Sequence, residues 1–253
     1  MTDQEWEIIR PLIPAAKEGG RNRAVNIRKI VDAIFYVSKG GIQWRMLPKD
    51  FPPMGTVYGY FAQWKRDGAW EKIHDKLRQI TRVIEGKESE PTAGSIESQS
   101  TRTTEEANNR GFDAGGKNKG RKRHIIVDTL GLLLTVLVHS AGIQDRTGAR
   151  HVVRKLQMKY SRVKKLWGDA RYGGKLIDWS KLMYELEVEV VKRTEQHKFV
   201  VLPKRWVVER TFSWLLRYRR LVADYERLKQ SAESMVYIAM TRLMLRRIAL
   251  DLG

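Results

Sequence analysis

An α/β fold, with a mixed sheet flanked by helices and preceded by a small all-helical unit, follows from three features of this sequence. Over residues 1–85 the apolar residues recur at helical spacing. Over residues 95–202 short β-branched or apolar runs alternate with helical stretches. Between them Glu85 to Thr92 is polar, charged and contains both Gly and Pro, the composition of a linker. The expected organisation is a helical domain over 1–85, a linker over 86–93 and the α/β domain over 94–253.

The first expected helix, Asp3 to Ile13, is capped by Thr2 or Asp3 and stopped by Pro14. A basic loop, Lys17 to Arg23, separates it from a second over Val25 to Val37, which ends at Gly40-Gly41. Pro48, Pro52 and Pro53 break the chain before a third helix over Thr56 to Arg66. Its stripe of Val57, Tyr60, Phe61 and Trp64 is more simply core than a surface for stacking bases. A fourth helix covers Ala69 to Ile84, and helices this short with a mildly basic surface are compatible with a helix-turn-helix unit. Beyond the linker come strands over Ser95 to Ser100, His124 to Asp128 and Leu132 to His139, the last two joined by the turn Thr129-Leu130-Gly131. A basic helix over Gly148 to Tyr160 leads to a strand over Val163 to Gly168 that ends at Asp169. A helix over Lys175 to Leu186, strands over Glu187 to Val191 and Phe199 to Leu202, and helices over Val207 to Arg217 and Ser231 to Leu250 complete the chain. Three antiparallel strands followed by parallel strands with crossover helices are the order of the ribonuclease H fold.

Composition narrows the function. The 253 residues are 42% hydrophobic and 30% charged, enough for a core of ordinary size in a soluble protein. No cysteine is present, which removes disulfides, thiolate zinc sites and cysteine nucleophiles. The acidic start of the chain and the short apolar runs lead us to expect neither secretion nor a membrane span. A net charge of +19 favours a polyanionic partner, and the excess is uneven, +4 over residues 1–90 against +15 over 91–253.

The five histidines are scattered without metal-ligand spacing, and neither a serine-nucleophile elbow nor a phosphate loop is present. Carboxylates remain, and they suit Mg²⁺, a hard ion that takes oxygen ligands. Glu97 lies in a strand of small residues, Asp169 ends an apolar strand before a glycine turn, and Glu209 lies among Lys204, Arg205 and Arg210 on an aromatic helix. Each of the first two, taken singly, is equally a solvated or arginine-paired carboxylate. Lys117 to Arg123 reads as a basic loop, either solvated or in contact with phosphate. The last helix, with Arg242, Arg246 and Arg247, reads as a packing helix with a basic outer face.

Longer motifs carry a resemblance. Gly94-Ser95-Ile96-Glu97-Ser98-Gln99-Ser100, Gly111-Phe112-Asp113-Ala114-Gly115, Lys119 to Gly131, Gln144-Asp145-Arg146 and Val201 to Leu215 are similar to bacterial insertion-sequence transposases of the DDE type. Trp44-Arg45-Met46-Leu47-Pro48 and Phe61-Ala62-Gln63-Trp64 resemble the DNA-binding region that precedes the catalytic domain in these proteins. The resemblance implies a ribonuclease H-like fold and a catalytic, metal-binding triad of Glu97, Asp169 and Glu209. It implies Mg²⁺, with Mn²⁺ as substitute, and double-stranded DNA as partner, both terminal inverted repeats and target. A homo-oligomer on DNA at the bacterial nucleoid, in the cytoplasm, is expected. Arg205 resembles the family's phosphate-holding residue, and Arg210, Arg217, Arg219 and Arg220 extend that strip, with Lys119, Arg121, Lys122 and Arg123 as further expected DNA contacts. The family's Tyr and Lys beside the last Glu fall here on Leu202 and Leu216, so those roles are not carried over. The family has Asp where this chain has Glu97. An extra methylene displaces a carboxylate by about 1 Å, which can cost about 100-fold in rate. The alternative function is a weakened or silent transposase-derived DNA-binding protein.

Overall fold

The computed structural model describes residues 1–16, 23–191 and 206–252. Residues 17–22 of the expected loop Lys17 to Arg23, the expected strand over 199–202 and the expected DNA contact Arg205 lie outside the described residues.

Four helices come first. In α1 (Asp3–Ile9), the Thr2 hydroxyl accepts from the Glu5 backbone N–H while the Glu5 carboxylate accepts from that of Thr2. Asn26 caps α2 (Ile27–Gly40), and Gly41 in the left-handed conformation ends it. α3 (Met54–Arg66) buries Val57, Phe61 and Trp64, so the aromatic stripe is core. Asp67 and Gly68 turn the chain directly into α4 (Ala69–Ile84). The tight helix-to-helix turn therefore falls between α3 and α4, whereas residues 41–53 separate α2 from α3.

The sheet contains β1 (Ala93–Arg102), β2 (Gly111–Asp113), β3 (Asn118–Asp128), β4 (Leu133–Ser140), β5 (Lys165–Gly168) and β6 (Glu187–Val190). Its order is β2-β3-β1-β5-β6, with β4 also paired to β3. β1, β3 and β4 are antiparallel neighbours, and β5 and β6 run parallel to β1. The crossovers are α5 (Asp145–Lys159) and α6 (Lys175–Tyr184). This is the mixed, helix-flanked sheet that the element order predicts. The start of β3 differs from expectation: Asn118 to Arg123 are strand, not loop.

α7 (Trp206–Leu216) packs against β1 and β3. The β3–β4 turn fixes its place, because the Thr211 hydroxyl donates to the Gly131 carbonyl at 2.7 Å. Gly131 has φ +77, and a Cβ there would lie 3.0 Å from Thr211 Oγ1 and 3.2 Å from the Trp214 ring. Only glycine meets both requirements without strain.

α8 (Lys229–Asp251) is buried nearly all round. It packs against α1, α2, α4 and β4, and one apolar cluster runs from Ile9, Ile34 and Trp70 through Met235, Ile238 and Leu245 to Val127 and Val136. Helices and sheet thus share a core across the expected boundary. The linker is strapped to α4: Arg82 Nε donates to the Glu88 carbonyl at 2.7 Å and Arg78 to that of Ser89 at 3.0 Å. Arg82 also makes a buried ion pair with Asp128 at 2.5 Å, tying α4 to the end of β3. Among the described residues no helix is long and apolar enough to cross a membrane.

Candidate active site

β1 and β5 are adjacent and parallel, with Ser95 paired to Trp167. Two residues further along each strand stand Glu97 and Asp169. Asp169 leaves β5 and caps a short 3₁₀ turn, Ala170–Tyr172, by accepting from the Arg171 backbone N–H at 2.8 Å. That turn sends the Arg171 side chain back over the strand ends. Its guanidinium donates to Asp169 at 2.8 Å, to Glu97 at 2.8 Å and to Asp145, the first residue of α5, at 3.1 Å. Burial opposes the charge on Arg171, but Glu97, then Asp169 and Asp145, raise its pKa above the ordinary arginine value.

The surroundings extend this network. Asp145 accepts from the Ser98 hydroxyl at 2.7 Å and pairs with Lys122 at 3.1 Å. Burial alone would raise its pKa, and these partners hold it below the usual carboxylate range. Asp113 accepts from the Ser100 hydroxyl and is likewise lowered, its burial being outweighed by that bond, by backbone N–H groups and by Lys122. A cleft of about 410 Å³ opens along these groups, lined by Ser98, Ser100, Asp113, Asn118, Asp145 and Arg171 among others.

Beneath the cleft lies a buried relay. Tyr172 hydroxyl and His124 Nε2 are 2.9 Å apart, His124 Nδ1 and His139 Nε2 3.3 Å, and His139 Nδ1 and the Ser140 carbonyl 2.9 Å. One assignment satisfies every contact: His139 donates to Ser140, His124 donates to His139, and Tyr172 donates to His124, with both rings neutral. Gly148 of α5 permits the close approach, since a Cβ there would lie 2.6 Å from His139 Nε2. The relay holds Tyr172, and with it the turn that follows Asp169, onto β3 and β4.

Glu97, Asp145 and Asp169 supply hard oxygen donors of the kind that Mg²⁺ and Mn²⁺ take. Among the described residues, however, no group of three or more His, Cys, Asp or Glu stands ready to hold a metal ion. The Arg171 guanidinium is the cation shared by the three carboxylates, so a metal would be held only once it withdraws. Glu209 lies exposed on the first turn of α7, the helix that packs against β1 and β3.

The model of a family described as "Transposase DDE domain" matches residues 88–244, and that of "Putative transposase of IS4/5 family" matches residues 1–74. The chain belongs to the DDE transposases. It is 30% identical over 115 residues to "Putative transposase for insertion sequence element IS402" of Burkholderia cepacia, covering 43% of this chain and 54% of that protein. Over 84 residues it is 32% identical to "Insertion element IS402 uncharacterized 16.2 kDa protein" of the same organism, covering 30% of this chain and 55% of the other. A third relative, "Uncharacterized protein y4sN" of Sinorhizobium fredii, is 27% identical over 73 residues, covering 29% of this chain and 58% of its own. The chain therefore spans about half the length of the curated relatives it matches. No solved structure matches it at a significant level.

The basic residues of this DDE transposase fall into two groups. Lys119, Arg217 and Arg219 are exposed, and Arg210 is half-buried on α7. Arg121 and Arg123 are buried, contrary to the expected phosphate-facing loop. Arg121 pairs with Asp224 at 3.2 Å and donates to the carbonyls of Asn108, Glu226 and Arg227, at 2.6 Å for the last. Arg123 donates to the carbonyls of Leu221, at 2.5 Å, and Ala223. Through these carbonyls both tie the segment between α7 and α8 to β3. Arg220 is buried too, paired with Glu226 at 2.8 Å and donating to Ile42. Lys122, on the opposite face of β3, is engaged by Asp145 and the Ile143 carbonyl. These four side chains serve the fold rather than offering a free cation to DNA.

Asp145 and Arg171 carry no role in the sequence reading. Asp145 lies in Gln144-Asp145-Arg146, one of the resembling motifs, and its place at the head of a helix after a glycine turn is the signal that singles it out. Arg171 has no comparable signal, because its reach to Glu97 depends on strand adjacency.

Proposed function

We propose that this chain binds the terminal inverted repeats of an insertion sequence as a homo-oligomer and catalyses divalent-metal-dependent phosphodiester cleavage and strand transfer, working at the bacterial nucleoid. The observation that carries the reading is the convergence of Glu97 and Asp169, from adjacent parallel strands, on one cationic group beside an open cleft. Glu97 and Asp169, with Asp145 beside them, would hold Mg²⁺ or Mn²⁺. When bound, the metal would supply activation of water or a 3′-hydroxyl and stabilisation of the leaving oxygen.

The chain's own residues do the rest. Arg171 neutralises the carboxylates until it is displaced, and a planar guanidinium released there is suited to bidentate contact with a phosphate. Ser98 and Lys122 orient Asp145, and the Tyr172–His124–His139 relay keeps the turn after Asp169 in place. Glu209 enters the set by its place in the motif. One observation favours a second reading, a DNA-binding protein that does not cut: Glu97 stands where the family has Asp, and its carboxylate is already paired with Arg171.

Terminal-repeat duplexes with Mg²⁺ and with Mn²⁺ separate these. The first reading expects cleaved and joined products that Asp169→Asn and Glu209→Gln each abolish, with DNA affinity unchanged within a few fold. Binding without products in either metal selects the second reading.

A further inference from the structure

α7 and α8 carry an aromatic and cationic ladder. Arg210 lies between two indoles of its own helix, its guanidinium carbon 4.3 Å from the Trp206 ring centroid and 4.7 Å from that of Trp214. The spacing i−4 and i+4 brings all three onto one helix face. From α8, Arg247 stacks on the same Trp214 ring at 4.4 Å. Two guanidiniums thus share one indole. Neither forms an ion pair among the described residues, and the nearby buried carboxylate Asp128 is already engaged by Arg82 and by the backbone of its own turn. Arg210 places one edge on the Leu130 carbonyl at 3.0 Å, while its Nε is buried without an acceptor.

A stacked guanidinium has its faces covered and its edges free, so its remaining donors point in fixed directions before any ligand arrives. The charge of Arg210 acts unfavourably on Arg247, and an anion that reaches both relieves that cost. Burial, reinforced at Arg247 by the charge of Arg210, makes both guanidiniums easier to deprotonate than usual.

We propose that Arg210 and Arg247, aligned on Trp214, form a clamp for one backbone phosphate of DNA. This rests on the reading of the chain as DNA-binding. Glu209 precedes Arg210, so the clamp would fix the strand on the helix that carries the expected third carboxylate.

Duplex affinity of the full chain, measured against salt, tests it. Each phosphate contact contributes about 0.9 to the slope of log affinity against log salt. Arg247→Met keeps the packing on Trp214 and should reduce the slope by about 0.9, and Arg210→Met/Arg247→Met by no more, because one phosphate is shared. Arg247→Lys should retain the slope while losing several fold in affinity, which covers the case in which Arg247→Met fails to fold. An unchanged slope in Arg247→Met beside a steep wild-type slope would overturn the clamp alone, as would a loss of about 1.8 in the double variant, which means two separate contacts. Salt-independent binding by the wild type would overturn the DNA reading with it. Inorganic phosphate at matched ionic strength should compete only weakly, since it lacks the flanking contacts of a strand, and strong competition would replace DNA by a free anion as the ligand.

Discussion

At the scale of single residues, the site depends on groups that adjacency in the sheet creates. Glu97 and Asp169 are 72 positions apart in sequence and become neighbours because β1 and β5 pair in parallel. Both were legible as candidates, since an acid among small residues or at the end of an apolar strand is conspicuous. Arg171 was not, because nothing local says that it bridges them. The buried histidines give the residue scale its own prediction. His124 is held down to about 3, by burial first and by His139 second, and His139 and His74 are also lowered, in each case mainly by burial. A depressed folded value means that the stabilisation is complete above the unfolded value of 6.5 and is lost as pH falls towards 3. Melting temperature should therefore decline between about pH 6.5 and 4.5, at up to about 1.4 kcal/mol per pH unit per histidine. In His124→Gln the same window should show a shallower decline from a lower starting point. An equal slope would remove His124 as a cause.

Secondary elements were largely readable, and the departures have physical reasons. Periodicity located the helices and most strands, because one face of each is buried. Residues 118–123 escaped because a run of Lys and Arg looks solvated, whereas Arg121 and Arg123 meet carbonyls contributed about 100 positions later. The β3–β4 turn was legible as a turn, but its role as a stop for α7 was not. Gly131→Ala should destabilise the chain by about 2 kcal/mol or more, combining left-handed strain of about 1–2 kcal/mol with contact against Thr211 and Trp214. Gly86→Ala, at φ +69 with nothing within 4 Å of its added Cβ, should carry the strain alone. Equal losses for the two in denaturant titrations would show that α7 does not lean on the turn.

Over the whole molecule, the composition shift at the linker marks a change of secondary structure rather than an end to packing. The alternation of Arg242, Arg246 and Arg247 with apolar residues predicts a packing helix with a basic outer face for α8. In the fold, Arg242 pairs with Glu5 of α1 at 2.5 Å and Arg247 stacks on Trp214. Deleting residues 1–85 would uncover the α8 surface that packs against α1, α2 and α4, Tyr237 on His74 included, and a buried apolar side chain is worth roughly 1.5–3 kcal/mol. The shortened chain should aggregate or lose its cooperative melting transition, and a transition as sharp as that of the full chain would mean that the two parts fold independently. A cation-handling centre where β1 and β5 meet should bind Mn²⁺ in the full chain, a binding followed by electron paramagnetic resonance. Binding should be lost in Asp169→Asn and tightened in Arg171→Met by on the order of tenfold, the worth of about 1.4 kcal/mol. Mn²⁺ affinity that is the same in Asp169→Asn as in the wild type would contradict it.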